Sequence, residues 1–253
     1  MARTKIFVPR ETAAISVGAD DVAIAIARYA KEAGHDIQLV RNGSWGATWL
    51  EPLIEVQVDD QRVAYGNVEA SDIESLFAAG LLEGGDHAKR LGPINEIPYL
   101  VSQDRWTFWR CGLIEPLSLD DYRAHQGFKA MAAALASAPA TVLDAVKTSG
   151  LRGRGGAGFP TGIKWQTVAD TDADQKYIAC NADEGDSGTF SDRILMEGDP
   201  FNLLEGRMLA GYAVGASVGD IYLRSAYPRT HKSLSKAISL LPDAGWRGDE
   251  IPG

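Results

Sequence analysis

The first third of the chain contains short apolar runs and one stretch with apolar residues at helical spacing. Apolar residues at 6–8 and 37–40 predict two strands, and apolar residues at helical spacing predict a helix over 20–33 between them. Apolar and polar residues alternate on both sides of 59–60, which predicts a hairpin. With a final helix, the order β-α-β-β-β-α favours a thioredoxin-like domain over residues 1–85.

Two further signals concern the end of this domain. Ser71–Glu74 has the form of a capping box, so we expect a helix to begin there. Beyond it, residues 86–125 are punctuated by glycine and proline and carry several large aromatic residues. Free linkers rarely contain such rings, so we interpret this stretch as a connecting segment that packs against a neighbouring part of the protein.

A second pattern of helices and strands occupies residues 126–253. Pro139 stands where the first turn of a helix tolerates proline, and Gly150 stands where that helix would end. The predicted helices cover 128–136, 139–149, 161–168, 202–214 and 228–241, and the predicted strands cover 177–180 and 221–223. This alternation predicts a second α/β domain.

Composition narrows the classes of function. The 253 residues carry a formal net charge of -9, which argues against binding to nucleic acid or to an anionic membrane surface. No apolar stretch approaches the roughly 20 residues that span a bilayer, and we find no targeting segment, so we expect a cytoplasmic protein without direct membrane insertion. Two cysteines, Cys111 and Cys180, cannot supply the four thiolates of a standard iron–sulfur cluster, and we expect no metal site in this chain.

The most unusual feature is a glycine-rich segment. Six residues between 150 and 162 are glycine, a density that costs conformational entropy and therefore needs a reason. Without Cβ atoms, main-chain N–H groups can approach a flat ring or a phosphate, and Arg152 and Arg154 add positive charge for an anionic cofactor. The candidate binding residues are Gly153, Arg154, Gly155, Gly156, Ala157, Gly158 and Phe159, together with Lys164 in the helix that follows.

This segment has two other interpretations. Gly153, Gly155 and Gly158 match the dinucleotide fingerprint, but that fingerprint needs a strand before it, and here a helix precedes it. We therefore reject an ordinary Rossmann nucleotide loop. The second alternative is a flexible surface loop, which would favour serine and asparagine over arginine and phenylalanine.

A polar segment follows the strand predicted at 177–180. In open α/β sheets, ligands bind at the carboxyl ends of strands, which is where this segment begins. Its candidate residues, which can bond to ribose or ribityl hydroxyls and to a nicotinamide, are Asn181, Asp183, Glu184 and Asp186. Two alternatives stay open: a solvated acidic turn or helix cap, and a Mg²⁺ or Ca²⁺ site, although the spacing of a calcium loop is absent.

The two segments together resemble one protein family. Residues 150–165 and 180–193 are similar to the flavin-bearing, NADH-oxidising subunit of respiratory complex I and its relatives. Those relatives include the diaphorase subunits of NAD-reducing hydrogenases and the beta subunit of NAD-dependent molybdenum formate dehydrogenases. The resemblance implies a Rossmann-like α/β domain over 126–253, incomplete at its carboxyl end, that holds FMN and NAD(H).

The resemblance also implies a role for each candidate residue. Residues 153–159 would wrap FMN and the incoming NAD(H), with Phe159 stacked on the adenine ring. Lys164 would contact the dinucleotide or the flavin, and Asp186 would meet the nicotinamide ribose or carboxamide. The residues that would hold the flavin from the second segment are Asn181, Asp183 and Glu184. No side chain needs to act as a nucleophile or general base, so no catalytic residue is predicted.

Two features favour the formate dehydrogenase branch of this family. The pair Asp186–Ser187 stands where the complex I subunit usually has Glu-Pro. Residues 1–85 resemble the thioredoxin-like half of the small partner subunit, most closely over 41–55, but they contain no cysteine. The domain therefore lacks the two-iron cluster of that subunit, and we interpret it as a docking or structural domain.

The predicted function is that of a diaphorase subunit that passes electrons between NAD(H) and iron–sulfur clusters of a multisubunit complex. Its expected partners are iron–sulfur subunits and a catalytic subunit, by preference the molybdenum subunit of a formate dehydrogenase. The alternatives are the flavin subunit of complex I or of an NAD-reducing hydrogenase, and a truncated interaction module without catalysis. The family continues beyond the length of this chain, and a 4Fe-4S cluster is expected only in that missing carboxy-terminal part.

Overall fold

The chain divides into two compact units. The computed structural model describes residues 3–186, 188–242 and 244–246. Unit 1 comprises Met1–Ser118 and Ile194–Asp199, and unit 2 comprises Leu119–Arg193 and Pro200–Gly253. The domain boundaries predicted at 85 and 125 stay predictions, and in the structure residues 86–118 group with unit 1.

Unit 1 is built on a five-stranded mixed sheet. Its strands are β1 (Thr4–Phe7), β2 (Ile37–Val40), β3 (Ile54–Val58), β4 (Gln61–Tyr65) and β5 (Arg90–Pro93). They are arranged in the order β2-β1-β3-β4-β5, with β1 parallel to β2 and antiparallel to β3. A parallel β-α-β motif joined to an antiparallel hairpin is the core of a thioredoxin-like fold, so this prediction is confirmed.

Helices of unit 1 cover the sheet with apolar side chains. They are α1 (Thr12–Ser16), α2 (Ala19–Glu32), α3 (Ile73–Ala78) and α4 (Pro98–Val101). The buried face of α2 includes Val22 and Ile26, which join Ile6 and Val56 of the sheet in one core cluster. This burial explains why the apolar spacing predicted α2 correctly.

The start of α3 differs from the prediction. The capping box joins Glu69 and Asp72, where the Asp72 carboxylate accepts a hydrogen bond from the Glu69 N–H at 2.8 Å. The predicted box at Ser71–Glu74 is wrong because a 3₁₀ turn over Ala70–Asp72 precedes the α-helix. The reciprocal bonds therefore form two residues earlier than the sequence pattern indicated.

Unit 2 contains two parallel strands among helices. The helices that begin after Ser118 are α5 (Leu119–Ala124), α6 (Lys129–Leu135), α7 (Pro139–Thr148), α8 (Thr161–Asp170), α9 (Ser191–Gly198), α10 (Pro200–Val214) and α11 (Pro228–Leu240). The first three residues of α9 belong to unit 2, and its residues 194–198 belong to unit 1. The strands β6 (Tyr177–Ala182) and β7 (Val218–Leu223) pair in parallel along their whole length. This arrangement confirms a Rossmann-like α/β second part. No helix in the described ranges is long and apolar enough to cross a membrane.

A buried carboxylate joins α6 to α10 within unit 2. Glu205 of α10 is 6% exposed and accepts hydrogen bonds from the Phe128 N–H at 2.8 Å and the Met131 N–H at 3.0 Å. The Tyr122 hydroxyl donates to the same carboxylate. Glu205 thus satisfies N–H groups at the start of α6 that have no partner inside the helix.

Unit 1 also buries an unusual set of polar side chains. Five polar side chains within the described part of the first 55 residues are at most 5% exposed. They are Glu11, Asn42, Ser44, Glu51 and Glu55. The Glu55 carboxylate lies 3.5 Å from the Arg62 guanidinium. Glu51 accepts hydrogen bonds from the Ser44 hydroxyl at 2.7 Å and the Leu53 N–H at 2.9 Å, and it forms no ion pair with the residues described. Burial, reinforced by the charges of Glu11 and Glu55, raises the pKa of Glu51 to about 7.

This pKa predicts a pH-dependent stability. Folding raises the Glu51 pKa from 4.5 to about 7, so the folded chain binds a proton more tightly than the unfolded chain. The stabilisation of the folded chain by the protonated Glu51 carboxyl is complete below the unfolded pKa of 4.5, and it is lost as the pH rises through about 7. We expect Glu51→Gln, which imitates the protonated carboxyl, to reduce the loss of unfolding free energy between about pH 5 and pH 8 by on the order of 2–3 kcal/mol.

Urea titrations at several pH values measure this slope. Glu74→Gln on the exposed face of α3 is the matched control, and its slope should equal that of the unaltered chain. An unchanged slope in Glu51→Gln would show that the buried carboxyl does not hold the proton.

Candidate functional site

The parallel pairing of β6 and β7 brings two segments to one edge of the sheet. Ala182 pairs with Leu223 at the carboxyl ends of the two strands. Asp183 and Glu184 come directly after β6, and the chain after β7 continues into Arg224. The carboxyl edge therefore combines acidic and basic residues, at the place where open α/β sheets bind ligands.

The Glu184 carboxylate is the most heavily bonded group at this edge. One of its oxygens accepts from the Asp192 N–H at 2.7 Å and the Ser191 hydroxyl at 3.2 Å. The other accepts from the Arg193 N–H at 3.1 Å and the Tyr227 hydroxyl at 2.9 Å. Glu184 therefore caps the first turn of α9, which is the helix-cap alternative left open above.

The environment of Glu184 changes the ionisation of two neighbours. Burial, together with the hydrogen bond and charge of Glu184, raises the pKa of Tyr227. Burial and the same charge raise the pKa of Asp192. Both groups thus keep their protons more firmly than usual, and the Tyr227 hydroxyl stays a hydrogen-bond donor to the carboxylate.

Two arginines complete this edge, and sequence reasoning missed both. The Arg193 and Arg224 guanidinium groups lie over the Tyr227 ring, with their central carbons 5.5 and 5.7 Å from its centroid. Arg224 also donates to the Glu184 carbonyl. The position of Arg224 directly after β7 was the available signal, because parallel strands end at the same edge.

The other predicted residues of this segment remain available to a ligand. The side-chain Oδ1 atom of Asn181 accepts a hydrogen bond from the Asp183 N–H at 3.1 Å, which forms a tight turn. Across the described ranges, the Asn181 amide group and the Asp183 and Asp186 carboxylates donate or accept no further side-chain hydrogen bond. Asn181 and Asp186 are exposed and Asp183 is half-buried. Ser187, predicted to mark the formate dehydrogenase branch, lies outside the described residues.

The glycine-rich loop is closed at its base and open at its tip. The Gly153 N–H donates to the Phe159 carbonyl at 2.8 Å, and the Thr161 N–H donates to the Leu151 carbonyl at 2.9 Å. Between these bonds, the N–H groups of 154–158 have no acceptor among the described residues. The loop therefore presents a row of unpaired donors of the kind that binds anions or ring edges.

The space around the loop tip fits a flat ligand. A Cβ atom added at Gly155 or Gly156 would meet no heavy atom within 4 Å, and Gly156 has a left-handed φ of 95°. Phe159 is 50% exposed, and Lys164 on α8 is exposed without an ion pair in the part that the structure describes. No hydrogen bond joins this loop to 181–186 among the described residues, so contact between the two segments is left to a ligand.

Gly162 serves packing rather than binding. A Cβ there would lie 2.7 Å from Cγ and 2.8 Å from Cα of Lys147, so only glycine lets α8 approach α7 this closely. The presence of glycine at position 162 is therefore explained by helix packing and needs no cofactor.

The two cysteines do not form a reactive site. Burial raises the pKa of Cys111 to about 12 and also raises the pKa of Cys180. Both thiols therefore stay protonated, whereas thiolates are the nucleophiles and metal ligands. No group of three His, Cys, Asp or Glu residues within the described ranges is arranged to hold a metal ion.

Comparison with known proteins places this site in a family. Residues 146–251 match the family model described as the Nuo51 FMN-binding domain. The chain contains a domain of the Nuo51 family. The Nuo51 domain includes both the glycine-rich loop and the carboxyl edge of β6 and β7, and its presence confirms the resemblance to the complex I flavoprotein family.

The curated relatives that this chain matches are longer proteins, of which the aligned region is only a part. The chain is 52% identical over 143 residues to the HndC component of the NADP-reducing hydrogenase of Solidesulfovibrio fructosivorans, covering 56% of this chain and 29% of that protein. It is 43% identical over 178 residues to one component of the NADH-quinone oxidoreductase of Streptomyces coelicolor, covering 70% of this chain and 37% of that protein. The chain thus spans about a third of the length of these relatives.

One solved structure aligns with almost the whole chain. It is the NAD⁺-reducing [NiFe]-hydrogenase in the air-oxidised state, with a TM-score of 0.46 and 23% identity. The alignment covers 96% of this chain and 41% of that one.

The structure of the carboxyl edge predicts unequal roles for two acidic residues. Glu184→Ala removes four hydrogen bonds and the cap of α9, so we expect it to lower the free energy of unfolding by about 2–3 kcal/mol. Asp186→Ala, at an exposed position a few residues away, should change it by less than about 0.5 kcal/mol. Urea unfolding of the two variants measures both values, and equal losses would contradict the assigned cap.

Proposed function

We propose that this chain is the FMN- and NAD(H)-binding part of an electron-transfer subunit. The observation that carries the proposal is the run of five N–H groups at 154–158 that have no acceptor among the residues described, within a domain of the Nuo51 FMN-binding family. The loop N–H groups and Arg154 would hold a phosphate or a ring edge, and Phe159 would stack on an aromatic ring.

The second segment would supply polar contacts to the same ligands. Asn181 and Asp183, which keep unused hydrogen-bonding groups, would hold the flavin, and Asp186 would meet the nicotinamide part of NAD(H). Glu184 would act mainly as a positioning residue, because its carboxylate already accepts four hydrogen bonds. Lys164 and Arg224 would add positive charge for the phosphates.

FMN, when bound, would accept a hydride from NADH and release electrons one at a time, as iron–sulfur clusters require. The protein would orient both ligands and needs no general base for this transfer. We therefore propose iron–sulfur proteins of a multisubunit complex as the partners that take up the electrons.

We also propose which kind of complex contains this chain. The sequence favoured a formate dehydrogenase, but the relatives are named as subunits of a hydrogenase and of NADH-quinone oxidoreductases. These names support the alternative, the flavin subunit of a hydrogenase or of a complex I-type enzyme. A molybdenum partner receives no support from them.

A glycine substitution tests the loop directly. Gly155→Val places a side chain in open space, so the fold should be retained, but the added atoms would occupy the path of a ligand to the loop N–H groups. We expect at least a tenfold weaker affinity for FMN, measured by fluorescence quenching of free FMN during titration with protein.

Gly206→Val on the exposed face of α10 is the matched control, since a Cβ there also meets nothing within 4 Å. It should bind FMN as the unaltered chain does. If FMN binding were the same in both variants, the loop would not be the flavin site. If the unaltered chain bound no FMN at all, the non-catalytic interaction module would be the better interpretation.

A further inference from the structure

Unit 2 contains a cavity at the end of the strands opposite to the proposed flavin site. Its volume is about 790 Å³, within the range of small-molecule sites. It is lined by Ile178 near the start of β6 and by Val218 and Gly219 at the start of β7. Ile178 and Asn181 are three residues apart, or about 10 Å along a strand, so the cavity is separate from the carboxyl edge.

The walls of the cavity are mainly apolar. Helix α6 contributes Met131 and Leu135, α10 contributes Met208, α11 contributes Ile238, and Trp246 follows α11. Flexible methionines and a large aromatic ring suit an apolar ligand of variable shape.

Arg207 is the single charged residue in this lining. Its Nε atom is buried without a hydrogen-bond partner, and its guanidinium forms no ion pair with any residue that the structure describes. Burial lowers the pKa of Arg207, although an arginine remains protonated at all physiological pH values. The nearby Asp220 charge only partly opposes the effect of burial, and a charged group that is partly removed from water and has no ion pair among the described residues is unfavourable, so an anion in the cavity would relieve this cost.

The position of the guanidinium depends on Gly219. A Cβ at Gly219 would lie 2.3 Å from an Nη atom of Arg207, so the guanidinium rests directly on the backbone of β7. Any larger residue at this position would push the arginine away. The glycine therefore keeps the charge at the wall of the cavity.

We propose that this cavity binds a small amphipathic anion, an aliphatic monocarboxylate whose carboxylate pairs with Arg207 and whose apolar chain lies against Met131, Met208 and Trp246. A planar guanidinium presents parallel N–H donors that match the two oxygens of a carboxylate. The apolar walls then remove the aliphatic chain from water. Neither the family description nor the proposed flavin function assigns a ligand to this place.

Octanoate is a suitable probe, and 1-octanol is its uncharged counterpart. Calorimetric titration of the full chain should show saturable binding of octanoate at one site and at least tenfold weaker binding of 1-octanol. Arg207→Met keeps an apolar wall, so the chain should stay folded while octanoate binding weakens at least tenfold. Gly219→Ala, which displaces the guanidinium, should weaken it in the same direction.

Arg229→Met at an exposed position of α11 is the matched control and should bind octanoate normally. Circular dichroism confirms that each variant is folded, and FMN binding should be unaffected in all of them. The proposal is overturned if folded wild-type protein shows no saturable octanoate binding, if 1-octanol binds equally well, or if Arg207→Met binds like the unaltered chain.

Discussion

Four hydrogen bonds to the Glu184 carboxylate determine how the carboxyl edge of unit 2 is built. They join the turn after β6 to the first residues of α9 and to Tyr227, which follows β7. Glu184 adopts a left-handed φ of 44°, which is unfavourable for a residue with a side chain, and the bonds offset that cost. One acidic residue therefore holds the loop in place, while Asn181 and Asp186 keep polar groups for a ligand.

In the glycine-rich loop, too, some groups stabilise the structure and others remain free for binding. Bonds at its base, from the Gly153 and Thr161 N–H groups, close the loop, and Gly162 allows two helices to pack. The N–H groups at 154–158 then have nothing to bond within the described residues. A hydrogen-bonded base with donors left free at the tip is a suitable arrangement for an anionic or planar cofactor.

Unit 1 has a thioredoxin-like fold although residues 1–85 contain no cysteine. Its apolar core lies between α2 and the sheet, and the buried carboxyl groups of Glu51 and Glu55 accept hydrogen bonds from neighbouring groups of the same unit. Cys111 belongs to this unit as a fully buried thiol, and its raised pKa makes it unsuitable as a ligand.

Elements with a strong apolar period could be predicted from the sequence, and those that depend on distant contacts could not. The burial of Val22 and Ile26 made α2 recognisable, whereas β5 contains Gly92 and Pro93 and resembles a turn until it pairs with β4. The glycine loop and Asn181 were visible as candidates from residue chemistry alone. The capping role of Glu184 was not, since its partners Arg193 and Tyr227 are 9 and 43 residues away along the chain.

We propose that this chain brings FMN and NADH together for hydride transfer. The most direct measurement is the absorbance of protein-bound FMN during anaerobic titration with NADH. We expect the oxidised flavin band to bleach in proportion to the NADH added. Bound FMN that keeps its oxidised spectrum in excess NADH would contradict the claim, because the flavin would then be held without access to its reductant.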